Sequence, residues 1–279
     1  MKAILIAVDF SGSSENAVNY TAKLLEKLQP EKLILMHQMM PAVVSDIPMS
    51  PPYYAGDTAE SSLLQLNEQK AKILAEAGSC DIETIVADEP LVSAISNVVE
   101  ERAVELIVIG ETEKSALERA LGGSTTADLL DKHKVPLLII PQGQQFSEIR
   151  NIAFATDLKS GNNYAALGAI SSFVASLGAK LLTVNVVSST DKFDGNEIQL
   201  RNVQQHYFAQ EAEFIRIHSD DVEAGLKKFI SDYNIQLLVL ERRHRHFFDK
   251  LFHKSVSREF AFHSEIPVLF INEQAYSGQ

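Results

Sequence analysis

Short apolar runs punctuate the chain, and they come in two matching sets. Ala3-Ile4-Leu5-Ile6-Ala7-Val8 leads into Asp9, and Asn151-Ile152-Ala153-Phe154-Ala155-Thr156 leads into Asp157, 148 positions later. Leu33-Ile34-Leu35-Met36-His37 recurs at the same offset as Leu181-Leu182-Thr183-Val184-Asn185. Further on, Leu106-Ile107-Val108-Ile109-Gly110 matches Leu237-Leu238-Val239-Leu240-Glu241, and Val135-Pro136 through Ile140 matches Ile266-Pro267 through Ile271, now 131 positions apart. The chain therefore carries one domain twice, and the second copy is 17 residues shorter between His37 and Leu106. A period this long marks a duplicated domain, whereas solenoid repeats fall at roughly 20–50 residues.

Between the runs the spacing becomes helical. Ala17, Val18, Thr21, Leu24, Leu25 and Leu28 recur at three- and four-residue steps and stop at Gln29-Pro30, where proline ends a helix. Helices are predicted over 61–77, 90–102 and 124–132, alternating with strands over 32–37, 82–86, 106–109 and 137–140. The strands are almost wholly apolar, which is the pattern of parallel strands covered on both faces. The order βαβαβαβαβ implies right-handed crossovers and an open parallel sheet with helices on both sides. A stretch from Met39 to Asp57 with prolines at 41, 48, 51 and 52 reads as a long loop, and the 17 missing residues are expected to come mainly from it. In the second copy the corresponding helix and strand are expected at 198–210 and 213–217. The domains are expected at 1–141 and 149–273, joined by Pro141-Gln142-Gly143-Gln144-Gln145-Phe146-Ser147, a linker short enough for the copies to pack on each other.

Two domains of about 140 residues fit a chain of 279. No apolar run reaches the roughly 18 residues that a membrane span needs, and because Met1-Lys2-Ala3-Ile4 leads straight into an apolar run, a strand rather than a cleavable leader is expected there. Cys80 is the only cysteine, so an intramolecular disulfide is excluded and a reducing, cytoplasmic location is expected. Of the net charge of −12, nearly all sits in the first copy, with 11 Lys+Arg against 22 Asp+Glu up to Glu148; the remainder holds 14 against 15. That acidity argues against nucleic acid as a partner, since nucleic-acid affinity depends on neutralising phosphates.

Ligands of open parallel sheets bind beyond the carboxyl ends of the strands, where strand order reverses. In the first copy this places Asp9, His37-Gln38, Gly110-Glu111-Thr112 and Gly122-Gly123-Ser124-Thr125-Thr126 at one edge. Glycine admits backbone N–H groups to a phosphate, and a helix start adds positive potential and the Ser124 or Thr125 hydroxyl. At these residues the chain resembles the universal stress protein family in its tandem form. Nucleotide-binding members carry a loop of the form G-x2-G-x9-G followed by Ser or Thr; Gly110, Gly123 and Ser124 match it, and Glu113 stands in place of the middle glycine. The resemblance implies two flavodoxin-like, Rossmann-like domains, each a five-stranded parallel sheet of order 3-2-1-4-5, with pairing through the last strand. It also implies ATP or another adenine nucleotide, with Mg2+, on the first domain only. Asp9 would contact the nucleoside and Gln38 the adenine, with Gly110, Gly123, Ser124 and Thr125 on the phosphates and the loop Glu111–Leu121 ordered by them. Glu113 opposes a triphosphate unless a metal or Lys114 screens it. The structural alternatives are that Asp9 and Ser11 cap the first helix and that Gly122-Gly123-Ser124 caps the last.

In the second copy the loop positions read Glu241, His244, Lys254 and Ser255, so every glycine of the motif is gone although Asp157 remains. The cation-rich segment Glu241-Arg242-Arg243-His244-Arg245-His246, with Lys250, His253, Lys254 and Arg258, suits either an anionic ligand or pairing with the acidic first copy. His244, His246 and His253 raise a metal reading that the surrounding cations oppose. Nucleophile elbow, Cys–His pair and Walker-A lysine are absent from the sequence, so any catalysis is expected to be limited to slow ATP hydrolysis. His37, ending a buried strand, is expected to be structural. The expected function is a regulatory or protective binding protein. A scaffold without ligand is the competing class, and a further pairing of two whole chains stays open.

Overall fold

The computed structural model describes residues 1–39, 58–111, 125–132, 134–156, 163–188, 196–208, 212–242, 260 and 264–272. In the first copy β1 (Ala3–Val8), β2 (Lys32–Gln38), β3 (Ile82–Ala87), β4 (Val104–Gly110) and β5 (Leu137–Ile140) alternate with α1 (Gly12–Leu28), α2 (Ala59–Ala77), α3 (Leu91–Arg102) and α4 (Thr125–Lys132). The second copy supplies β6 (Asn151–Ala155), β7 (Lys180–Val187), β8 (Ala212–His218), β9 (Leu237–Arg242) and β10 (Val268–Asn272), with α5 (Asn163–Leu177), α6 (Asn196–Phe208) and α7 (Val222–Asp232).

The strands form one continuous sheet of ten, in the order β3-β2-β1-β4-β5-β10-β9-β6-β7-β8. Each half has the expected 3-2-1-4-5 order, and every pairing within a half is parallel. The halves meet through one antiparallel pairing of β5 with β10, in which Leu138 faces Leu269, flanked by Leu137 with Phe270 and Ile139 with Val268. Leu138 and Leu269 are the same position of the repeat, so a local two-fold axis passes between them. The linker is held to α1 by Asn16, whose side-chain amide donates to the carbonyls of Pro141 (3.0 Å) and Gln144 (3.1 Å). Phe146 packs edge-on against Tyr20 at 5.1 Å, and Ile149 is buried at the entry to β6.

Strand geometry divides the apolar side chains between two layers. Ile4, Ile6, Leu33, Leu35, Phe154 and Val239 face α1 and α5, while Leu5, Ile34, Ile107, Ala153 and Leu238 face the other side. Both layers run through both copies, and a fully buried Leu, Ile or Phe contributes about 1.5–3 kcal/mol. Helix boundaries follow local chemistry. Ser11 caps α1 by accepting from the Ser14 N–H, and at the other end Gln29 turns left-handed (φ 43°) and donates its N–H to the Leu25 carbonyl. Thr58 and Ser61 form a reciprocal capping box on α2.

The shortening of the second copy has two sources. The connection between β2 and α2 is longer than that between β7 and α6, as expected from the proline-rich stretch. In addition, α2 has 19 residues and α6 has 13.

Candidate functional site

Asp9, Gln38 and Gly110 lie at the carboxyl ends of β1, β2 and β4, three adjacent strands, and strand order reverses between β1 and β4. The structure therefore brings these three together at the edge where the sequence expects a ligand. Thr125 is the first residue of α4. Gly123, Ser124, Glu113, Lys114 and the loop following Glu111 lie outside the described residues, so the phosphate half of the expected site has no geometry here.

Asp9 is exposed, yet it is bound into the start of α1. Its Oδ1 accepts from the Ser11 N–H at 3.0 Å and from the Ser11 hydroxyl at 2.5 Å. The Ser11 hydroxyl also contacts that of Ser13 at 3.0 Å, and Ser14 donates its hydroxyl to the Ser11 carbonyl at 3.1 Å. Partial burial pushes the Asp9 carboxyl up, but the hydrogen bonds from Ser11 outweigh it and hold the group below the ordinary aspartate range. Asp9 is thus a fixed carboxylate bracing the helix cap, with its exposed side toward solvent at the strand-order reversal.

Gly110 has a packing role that the motif conceals. A Cβ built there would lie 2.3 Å from the Ser13 carbonyl oxygen, 2.5 Å from its carbon and 2.9 Å from the Ser14 nitrogen. Glycine at this position lets the first turn of α1 rest directly on the end of β4, whether or not a phosphate is present. The sequence reading credits Gly110 only with admitting a phosphate; the contact joins residues about a hundred positions apart, which spacing cannot show. β4 then continues its ladder, Gly110 opposite Ile140 and the Glu111 N–H donating to the Ile140 carbonyl at 2.8 Å. Gln38 closes β2 opposite Ala87 and is half-buried.

His37 is structural, as expected, and its job can be named. Its Nδ1 lies 2.7 Å from the Val8 carbonyl, which can only accept, so Nδ1 carries the proton. In the second copy the Asn185 side-chain amide donates to the Thr156 carbonyl at 2.8 Å, the same bond at the same repeat position. A polar side chain at the end of the second strand thus ties down the end of the first in both copies. We expect His37→Asn to keep this tie and to cost less than about 1 kcal/mol, whereas His37→Ala leaves the buried Val8 carbonyl without its donor and costs about 1–3 kcal/mol. Urea unfolding of the two variants checks this, and equal losses would contradict it.

The sequence reading missed Phe10. It adopts a left-handed conformation (φ 60°) unusual for a bulky residue, and its ring lies 4.4 Å from that of His37 at a 36° tilt. An aromatic residue directly after the strand-ending Asp was the available signal. In the second copy Glu241 occupies the Gly110 position and pairs with Ile271 in β10, placing a half-buried side chain where the first copy has bare backbone. Asp157 and the cationic segment from Arg243 onward, including His244, His246 and His253, lie outside the described residues. Among the described residues there is no cluster of His, Cys, Asp or Glu suited to a metal, and no helix is long and apolar enough to cross a membrane.

Comparison with known proteins agrees with this architecture. A universal stress protein from Archaeoglobus fulgidus DSM 4304 superposes with a TM-score of 0.72 at 21% identity, covering 97% of this chain and 98% of that one. A protein of unknown function from Pseudomonas aeruginosa PAO1 gives a TM-score of 0.64 at 14% identity, over 99% and 95%. In sequence, a universal stress protein of Mycolicibacterium smegmatis is 27% identical over 143 residues, 49% of this chain and 47% of that protein. The chain matches about half the length of that relative. The Universal stress protein family profile matches residues 1–141 and again residues 148–272. The chain therefore belongs to the universal stress protein family, as a tandem of two such domains.

Proposed function

We propose that the protein is a regulatory binding protein whose first domain holds an adenine nucleotide, ATP or a relative with Mg2+, while the second domain has given up that ligand. The observation that carries this reading is Asp9: a carboxylate held ionised by Ser11, exposed at the strand-order reversal between β1 and β4, beside a glycine and the start of α1. It suits an acceptor for ribose hydroxyls. Gln38 would lie against the base, and Gly110, Gly123, Ser124 and Thr125 would receive the phosphates at a helix start. In the second domain Glu241 puts a carboxylate at the Gly110 position, which repels phosphate. The cationic segment beyond it is then free for an acidic partner, in place of the pairing within the chain that the sequence also admits.

A second reading, a scaffold without nucleotide, is favoured by one observation: packing against Ser13 and Ser14 accounts for Gly110 by itself. Titration with ATP and Mg2+ decides between them. We expect one site per chain in the wild type, loss of at least about tenfold in affinity with Asp9→Ala, and abolition with Gly123→Asp in a protein that unfolds at the wild-type temperature. Wild-type affinity in folded Gly123→Asp would exclude this site, and no binding by the wild type would establish the scaffold.

A further inference from the structure

α2 lies at the outer end of the sheet, packed on α1, β2 and β3, and it carries apolar side chains on two opposite faces. Ser62, Leu66, Gln69 and Ile73 recur at three- and four-residue steps and form its buried face. On the other side Leu64 is 61% exposed, with Leu63 at 41% and Leu74 at 36% along one flank. Ala71 and Ala75, both exposed, continue the line from Leu64 along the helix. Singly scattered surface leucines need no explanation, but a continuous apolar line on one helix marks a contact surface.

The charges beside this line identify what covers it. Glu68 and Lys72 flank it on the side away from Leu63 and Leu74, and both are exposed with no ion pair among the described residues. Two α2 helices laid antiparallel about a two-fold axis near Gln69 and Lys70 bring like flanks together. Leu64 then stands opposite Ala75 of the other molecule and Leu63 opposite Leu74, while each Glu68 meets a Lys72. The surface is thus complementary to itself, as a two-fold interface requires. A parallel arrangement would set glutamate on glutamate and lysine on lysine, and a partner of one charge sign would leave half of these groups opposed.

β5 and β10 already pair inside the chain, so a second molecule must use another surface. α6, the counterpart of α2, has no such line among the described residues. Its exposed Ile198 and Tyr207 are nine residues apart, two and a half turns, and so lie on opposite sides of the helix. A self-complementary surface present once per chain closes at two molecules and does not propagate.

We propose that α2 is the interface of a homodimer of whole chains, formed by antiparallel pairing of the Leu64 faces. The proposal does not depend on nucleotide binding at Asp9. One helix pair covers less than the roughly 1,600 Å² of a standard interface, so micromolar affinity is expected. The test is sedimentation equilibrium of the full chain from low to several hundred micromolar, and we expect a reversible monomer–dimer equilibrium. Leu64→Lys, at the most exposed of the three leucines, should weaken association by about tenfold or more and leave the unfolding temperature of the monomer unchanged. Glu68→Lys or Lys72→Glu alone should weaken it by about threefold or more, because the axis applies each change twice, and the two together should restore it. A wild type that stays monomeric throughout would overturn the proposal, as would a dimer that Leu64→Lys does not weaken. A dimer indifferent to the single charge reversals, or not restored by the double reversal, would overturn the antiparallel pairing.

Discussion

Gly110→Ala is expected to destabilise the protein by about 3 kcal/mol or more, an unusually large effect for adding one methyl group. The added carbon would meet the Ser13 carbonyl at 2.3 Å and the Ser13 carbonyl carbon at 2.5 Å. These are backbone atoms in the first turn of a helix, and no rotamer change relieves the clash. Either α1 lifts from β4, opening a layer that holds Ala17, Val18, Leu24 and Leu25, or β4 bends away from β5 and loses the bond from Glu111 to Ile140. At roughly 2–4 °C per kcal/mol for a chain of this size class, the unfolding temperature should drop by about 6–12 °C. Gly12→Ala provides the control. Nothing lies within 4 Å of the added carbon there, so the substitution is expected to be neutral or mildly stabilising. Equal stability of the two variants in urea would show that α1 does not rest on the end of β4. The same pair of proteins separates the two meanings of Gly110: a loss of stability without ATP present belongs to packing and owes nothing to a phosphate.

Leu138→Asp and Leu269→Asp should each cost about 4 kcal/mol or more, and by similar amounts. Both side chains are at most 2% exposed, and they face each other where the two halves of the sheet join. Their sheet partners are apolar, Val108 and Leu269 for Leu138, Val239 and Leu138 for Leu269, so an aspartate there must remain charged and desolvated or take up a proton, and either outcome opposes folding. The similarity follows from the axis, since each residue sees the other's surroundings turned by half a revolution. The double variant should not be additive, because two carboxylates would then face each other. Chemical unfolding measures all three. A large cost at Leu138 with almost none at Leu269 would mean that the antiparallel pairing of β5 with β10 is not the one described.

Much of the fold was legible because the strands are apolar on both faces and the helices are not. Leu106 through Ile109 reads as a covered strand, and the two offsets locate its twin without any structural information. The joining of two sheets into one was not legible in that way. Leu137-Leu138-Ile139-Ile140 is apolar throughout, and a uniformly apolar strand carries no register. Pairing Leu138 with Leu269 is fixed by cross-copy contacts that no local pattern records. At the site, Asp9 was readable as a strand-end carboxylate beside a helix cap, because both roles use neighbours within five residues. Gly110 was readable only as a glycine. Its contact with Ser13 depends on how closely α1 approaches β4, a tertiary distance. His37 lay between these cases: its place at the end of a buried strand marks it as structural, and the structure supplies the tie to the Val8 carbonyl and its match at Asn185.

The antiparallel pairing of β5 with β10 also determines which way the two domains look. Turning one half by half a revolution sends the carboxyl edge of the first copy and that of the second to opposite rims of the sheet. In a pair of identical separate chains those rims would be chemically the same, and every substitution would appear on both. Joining the halves covalently removes that constraint, so the position that is Gly110 at one rim can be Glu241 at the other within one molecule. The protein is accordingly a body with two unlike poles, its two carboxyl edges differing in chemistry from one rim to the other.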